Sequence, residues 1–205
     1  MGSARVQYEL ERTLSSLQLA VEHDVFDKET EIRSITHKRR QFESALVRRH
    51  ALSEDFHKYL DYEEDLHKLL LSRLKTAQEI SEIPRSDVHK MQHDSTRHMI
   101  SIFERAIKRL RHDFSLWQRY MLWANQRKMR GAISRISARA LSLFPNNANL
   151  WLSVADHELN ANLNPSTARA LMQRGLQLAA VRLWIEYIRL ELVFLERIRR
   201  RKIAL

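Results

Sequence analysis

The sequence predicts an all-α protein built from repeated helix pairs, and three observations lead to that prediction. Only three glycines and three prolines occur among 205 residues, so the chain lacks the residues that hairpins and tight β turns require. Apolar residues recur every three or four positions, as they do along one face of a helix. Large aromatic residues return with a period near 34 residues, which indicates an array of helix pairs.

The first half of the chain predicts four helices. Asp27 precedes the second helix as a candidate N-cap, and Ser53 precedes the third. Pro84 lies in the break at residues 81–87, after which a helix runs from about Val88 to His112. The apolar positions of the first two helices are Val6, Leu10, Leu14, Leu17 and Val21, then Ile32, Ile35, Phe42 and Leu46.

A repeat of helix pairs begins at Phe56 and continues through the second half of the chain. Four aromatic anchors set the register: Phe56, Trp117, Trp151 and Trp184. Three residues after them stand Tyr59, Tyr120, Val154 and Tyr187, and seven residues after them stand Glu63, Ala124, Glu158 and Glu191. The second helix of each unit carries Arg105-Ala106-Ile107, Arg139-Ala140-Leu141 or Arg174-Gly175-Leu176. Asn164 and Pro165 read as the N-cap and first residue of one such helix.

These residue types predict how the helices of a pair pack. Aromatic residues at i and i+3 share one helix face and bury a large area, while a small residue on the second helix permits close approach. We also expect the arginine of a second helix to bind the glutamate of the first, for example Arg174 with Glu158. The predicted repeat core is Phe56, Tyr59, Trp117, Tyr120, Ala140, Trp151, Gly175, Trp184 and Tyr187.

The repeat resembles the HAT (half-a-TPR) repeat of RNA-processing scaffolds. Its marks are the tryptophan, the tyrosine at +3, the glutamate at +7 and the following Arg-Ala-Leu. The segment from Val25 to Leu66 is similar to the start of the U3 small nucleolar RNA-associated protein 6 family. The residues that carry this second resemblance are Arg39, Arg40, Gln41, Phe42 and Glu43, the pair Arg48 and Arg49, and Asp55, Phe56, Tyr59, Tyr62 and Glu63.

The resemblance implies a solenoid of HAT helix pairs preceded by N-terminal helices. Residues 1–52 would be the N-terminal helical segment, and residues 53–205 about three and a half units at the start of a longer array. The implied role is a non-catalytic scaffold in ribosome biogenesis, in the UTP-B module of the small-subunit processome and the U3 snoRNP. That particle assembles on pre-rRNA in the nucleolus and is needed for 18S rRNA maturation. The implied partners are WD-repeat propeller proteins of UTP-B and the processome, and the backbone of pre-rRNA or U3 snoRNA.

A HAT scaffold of pre-mRNA splicing or 3′-end processing is the alternative, against which the N-terminal resemblance argues. The spacing also departs from the pattern in one place. The arginine of the second helix precedes the next tryptophan by 12 residues at Arg105 and Arg139, but by only 10 at Arg174. The sequence leaves open whether residues are missing near 178–181.

Enzyme classes find little support in the sequence. No cysteine is present, which excludes thiolate catalysis and cysteine-ligated metals, and no glycine-rich phosphate loop can be written. His89 and His93 have the i, i+4 spacing of metal ligands, but they lack the glutamate of a metalloprotease motif, so a solvated helix face is the favoured interpretation. We expect no catalytic residue, cofactor, metal, small-molecule substrate or membrane span.

Charge is unevenly distributed along the chain. Residues 1–103 carry 16 basic and 18 acidic side chains, whereas residues 104–205 carry 19 and 7, so the excess of +10 lies in the second half. Such a field attracts polyanions without defining a site. The densest basic run is Arg197, Arg199, Arg200, Arg201 and Lys202. RNA phosphate, an acidic protein segment and solvent all remain open as its surroundings.

Overall fold

The computed structural model describes residues 2–28, 30–80, 83–178 and 182–203. Within those ranges every regular element is an α-helix, so the all-α prediction is confirmed. None of these helices is both long and apolar enough to cross a membrane. Their bounds are α1 Gly2–Glu22, α2 Glu31–Val47, α3 Ser53–Ile80, α4 Arg85–Arg109, α5 Phe114–Gln126, α6 Arg130–Leu143, α7 Ala148–Asn160, α8 Pro165–Leu178 and α9 Arg182–Ile203.

The chain divides into two compact units, residues 1–116 and 117–205. Unit 1 contains α1 to α4, and unit 2 contains α6 to α9 together with most of α5. These units reflect how densely the helices contact one another, whereas the predicted division after residue 52 reflects where the repeats begin. That division stays a prediction.

Unit 1 is held together by an apolar core between its long helices. The helix α1 packs on α2 and α4, and α3 packs on α2 and α4. Burying apolar surface of this kind is the main favourable contribution to folding. One cluster of buried side chains consists of Leu17, Ala20, Val25, Phe26, Ile35, Leu70, Leu74, Ile83, Val88 and Met91.

Several helix ends differ by a few residues from the sequence prediction. The N-cap of α2 is Thr30, and the Asp27 carboxylate accepts a hydrogen bond from the Thr30 backbone N–H at 2.8 Å. The helix α4 begins at Arg85, directly after its N-cap Pro84, whose φ of −55° is compatible with the start of a helix. By contrast, α8 begins at Pro165, and Asn164 Oδ1 accepts from Thr167 N at 3.2 Å, as predicted.

Unit 2 consists of shorter helices that pack on their neighbours in the sequence. The helix α7 contacts α6 and α8, and α9 contacts both α8 and α7. The helix α7 begins after Asn147, whose Oδ1 accepts a hydrogen bond from Leu150 N at 3.2 Å. This cap fixes the start of α7 and hence the position of Trp151 in its first turn.

Candidate interaction surfaces

The repeat anchors do not share one environment. Phe56, Trp117 and Trp151 are buried, each at most 3% exposed, whereas Trp184 is 55% exposed. The prediction that Trp184 belongs to the repeat core is therefore wrong. The buried stripe of α9 passes through Leu183 and Leu190 instead, one residue away from the position that the repeat spacing indicates.

Trp151 shows the packing that the small residue makes possible. A Cβ atom built on Gly175 would lie 3.0 Å from Cγ of Trp151 and 3.1 Å from its Cδ2. Contacts this short are disfavoured for a carbon atom against the rigid base of an indole ring. Gly175 on α8 thus lets the helix approach Trp151 on α7 closely.

The other predicted core residues of the repeats differ in their exposure to solvent. Tyr59, Tyr120 and Ala140 are buried. The guanidinium of Arg139 lies over the Trp117 ring, 5.4 Å from its centroid. Tyr187 is partly exposed, and its hydroxyl accepts a hydrogen bond from Gln173 Nε2 at 3.1 Å.

The glutamate at +7 binds a residue of the helix that precedes its own. Glu63 binds Arg39, 24 residues earlier, and Glu158 accepts a hydrogen bond from Ser134 Oγ, also 24 residues earlier. Glu191 binds Arg169, 22 residues earlier. The separation between the glutamate and its partner falls from 24 to 22 residues in the last unit, where the spacing from the arginine to the next tryptophan also falls by two. Glu63, Glu158 and Glu191 therefore occupy equivalent positions of the repeat.

Arg174 does not occupy the position that the sequence prediction gave it. Its side chain is exposed, whereas Glu158 is buried and bonded to Ser134. The partner position of the glutamate lies five residues before the arginine of the repeat, where Ser134 and Arg169 stand. The sequence contains this five-residue spacing, but only the packing of the helices distinguishes this pairing from other pairings of the glutamate.

A buried ion pair joins α2 to α3 in unit 1. Arg39 Nε donates to Glu63 Oε1 at 2.7 Å, and Arg39 Nη2 donates to Oε2 at 2.8 Å. Burial raises the pKa of Glu63, but the charges of Arg39 and His98 outweigh it, and the pKa falls to about 2. Tyr59 completes the group, with its hydroxyl 3.1 Å from His98 Nε2.

A second bidentate pair joins α4 to α2. Arg105 Nη1 and Nη2 donate to the two carboxylate oxygens of Glu43 at 2.6 and 2.7 Å. One turn later, Arg109 donates to the carbonyl oxygens of Leu46 and Arg48 at the end of α2. Arg105 thus binds Glu43 on α2, whereas the repeat pattern predicts the +7 glutamate of its own unit, Glu63, as its partner.

The outer face of α9 is apolar and exposed. Its large apolar side chains are 43–61% exposed, and among the described helices α9 packs on α8 and α7. Contiguous exposed apolar side chains are typical of surfaces that bind another protein. These residues are Trp184, Ile185, Ile188, Leu192, Val193 and Leu195.

The predicted basic run lies at the end of α9. Arg199 and Arg200 are exposed, and Arg200 Nε donates to Glu196 Oε1 at 2.9 Å. The side chains of Arg197, Arg201 and Lys202 lie outside the residues that the structure describes. Exposed guanidinium groups beside an apolar face can bind either phosphates or carboxylates, so both predicted contacts stay predictions.

The histidine pair of α4 lies on an exposed surface. His89 and His93 are both exposed, and His93 Nδ1 lies 3.6 Å from Asp94 Oδ1. Within the described ranges, no group of three or more histidine, aspartate or glutamate side chains is placed to hold a metal ion.

Comparisons with known proteins agree with the resemblance found in the sequence. A sequence model described as U3 small nucleolar RNA-associated protein 6 matches residues 10–109. The protein of that name from Schizosaccharomyces pombe is 35% identical over 196 residues, 95% of this chain and 39% of that protein. The Mus musculus homolog is 30% identical (84% of this chain, 28% of that protein) and the Homo sapiens homolog is 28% identical (96% and 32%). The chain spans well under half the length of these relatives.

Proposed function

Because this chain belongs to the U3 small nucleolar RNA-associated protein 6 family, we propose that it is a non-catalytic scaffold subunit in ribosome biogenesis. It acts in the small-subunit processome, within the UTP-B module and the U3 snoRNP, where it supports assembly on pre-rRNA for 18S rRNA maturation. Its place of action is the nucleolus.

The exposed apolar face of α9 is the observation that best supports a scaffold. Trp184, Ile188 and Leu192 recur at intervals of four residues, so they form one ridge along the helix. Each is more than half exposed. A ridge of this kind suits docking against a second protein, because burying it removes apolar surface from water.

The partner that we propose for this ridge is a WD-repeat propeller protein of UTP-B. The sequence of α9 carries seven basic and three acidic side chains, so the partner surface is expected to be apolar at its centre and acidic at its edge. Glu186, Glu191 and Glu196 already bind arginines within this chain, and Arg199 is exposed, so it can bind an acidic group of the partner.

Affinity capture of the tagged chain from cells, followed by mass spectrometry and RNA sequencing, tests this function. The proposal predicts enrichment of processome proteins together with U3 snoRNA and pre-rRNA. Recovery of splicing or 3′-end processing factors without processome proteins would contradict it.

A variant pair tests the surface itself. Changing Ile188 and Leu192 to glutamate places two charges on the ridge and should lower recovery of WD-repeat proteins at least about tenfold. Leu122→Glu is the matched control, since Leu122 is 55% exposed on a different helix. Equal recovery with both variants would show that the ridge is not the docking surface, provided that circular dichroism shows unchanged helix content.

A further inference from the structure

An open cleft in unit 1 concentrates basic side chains that the charge count along the sequence did not reveal. It has a volume of about 260 Å³ and lies where α1, α2, α3 and α4 meet. Four of its lining residues are basic, namely Arg5, Arg105, Lys108 and Arg109, and one is acidic, Glu43. Most of unit 1 belongs to the half of the chain that carries no excess of positive charge.

The single carboxylate of the cleft is already neutralised. Both oxygens of Glu43 accept hydrogen bonds from Arg105, at 2.6 and 2.7 Å. Glu9 is the other carboxylate that acts on Arg105, and it forms its own ion pair with Arg12 at 3.3 Å. The charges of Arg5, Lys108 and Arg109 therefore leave the cleft with a net positive field.

The basic groups of the cleft are partly positioned in advance. Arg109 donates to the carbonyl oxygens of Leu46 and Arg48, which hold its guanidinium at the end of α2. Arg5 and Lys108 are exposed and come from two different helices, α1 and α4. Such an arrangement can approach one anion from two sides, and a guanidinium matches the geometry of a phosphate better than an ammonium does.

We propose that this cleft binds a phosphate group of a single-stranded RNA backbone, with Arg5 and Lys108 as its principal contacts. The cleft lies below the roughly 300–1,000 Å³ of ordinary small-molecule pockets, so it accommodates one phosphate with its sugar. Leu46 and Val47 supply an apolar wall for that sugar. Phe56 is only 1% exposed and offers no ring for base stacking, so binding is independent of base sequence.

This inference deepens the proposed function, because it rests on pre-rRNA or U3 snoRNA being the neighbouring polyanion. It adds a contact far in sequence from the basic run at residues 197–202. Contacts to the backbone alone depend strongly on salt, and each phosphate contact on a single strand contributes about 0.7 to the slope of log K against log salt concentration.

Fluorescence anisotropy with a labelled 20-nucleotide oligouridine tests the cleft directly on the whole chain. The variant Arg5→Glu/Lys108→Glu should weaken RNA binding at least about tenfold and, because one phosphate contact is lost, reduce the salt slope by about 0.7. The matched control is Arg40→Glu/Lys90→Glu, which changes the net charge equally at exposed positions of α2 and α4. We expect the control to weaken binding less than about threefold.

Three results would overturn the inference. Equal weakening by both variants would mean that RNA senses only the overall charge, and displacement of RNA by polyglutamate as effectively as by unlabelled oligouridine would indicate an acidic protein ligand. Arg5→Lys/Lys108→Arg should retain binding, and its loss would also contradict a phosphate site. Because this assay measures RNA binding by the purified chain, its failure is distinguishable from a failure to capture processome proteins.

Discussion

Units 1 and 2 place equivalent residues of the repeat in different environments. In unit 1, Glu63 is 1% exposed and binds Arg39 through two hydrogen bonds. In unit 2, Glu158 accepts a hydrogen bond from a serine hydroxyl, and the side chain of Glu191 is 26% exposed in its pair with Arg169. The repeat therefore specifies where the carboxylate lies, whereas the preceding helix decides whether it meets a charge.

This difference changes what stabilises each unit. A buried ion pair compensates a large desolvation cost, so removing one partner leaves an uncompensated charge. Unit 2 instead contains the close packing of Trp151 on Gly175, which depends on shape. We expect unit 1 to be sensitive to charge and pH, and unit 2 to be sensitive to added volume.

The largest effect is expected from breaking the buried pair of unit 1. Arg39→Met removes both guanidinium hydrogen bonds from the buried carboxylate of Glu63 and should lower the free energy of unfolding by roughly 3–5 kcal/mol. The double variant Arg39→Met/Glu63→Leu should recover most of that loss, because apolar groups of similar volume remove the unpaired charge. Urea unfolding followed by circular dichroism measures both.

In the same urea experiment, tryptophan fluorescence is the control that follows the unfolding of unit 2. All four tryptophans belong to residues 117–205, so their signal reports on unit 2. A single variant that costs less than about 1 kcal/mol would contradict a structural role for the pair.

Acid should weaken unit 1 through the same glutamate. The pKa of Glu63 is about 2 in the folded chain against an ordinary value of 4.5, so its contribution is fully present above pH 4.5 and is lost as the pH falls toward 2. The lost contribution amounts to roughly 3 kcal/mol. Urea midpoints measured by circular dichroism between pH 6 and pH 3 should fall less steeply in Arg39→Met/Glu63→Leu than in the original chain. An equally steep fall in the double variant and the original chain would contradict the assignment of this pH dependence to Glu63.

A smaller effect is expected in unit 2 from Gly175→Ala. The new methyl group would meet the rigid part of the Trp151 ring at 3.0–3.2 Å, which should cost roughly 1–2 kcal/mol after the gain in helix propensity. Gly131→Ala is the matched control, because a Cβ at that position of α6 meets nothing within 4 Å. Tryptophan fluorescence during urea unfolding measures the stability of both variants. Equal stabilisation by Gly175→Ala and Gly131→Ala would show that residue 175 does not pack tightly against Trp151.

The smallest effect is expected from Arg169→Ala. Its pair with Glu191 is partly exposed to solvent, and such pairs contribute about 1 kcal/mol or less. Urea unfolding followed by tryptophan fluorescence measures the change. A loss comparable to that of Arg39→Met would show that solvent exposure does not distinguish the two pairs.

The sequence predicted the helical class because glycine scarcity, apolar periodicity and the aromatic period all depend on local spacing. Trp184 follows the same spacing as Trp151 and yet is exposed, because burial depends on whether another helix covers the residue. The pairing of Glu63 with Arg39 was not predicted for the same reason, since it depends on how α2 packs against α3. The cleft of unit 1 joins Arg5 to Lys108, more than 100 residues apart, and no local pattern could have shown it.

A side-by-side capture experiment tests the central claim most directly, namely that this chain works by binding through two separate surfaces. The tagged chain, Ile188→Glu/Leu192→Glu and Arg5→Glu/Lys108→Glu would be compared for recovered WD-repeat proteins and for RNA crosslinked to the chain. We predict that the first variant loses the proteins and that the second loses crosslinked RNA while retaining the proteins. The claim would be contradicted if each variant recovered WD-repeat proteins and crosslinked RNA as well as the original chain does.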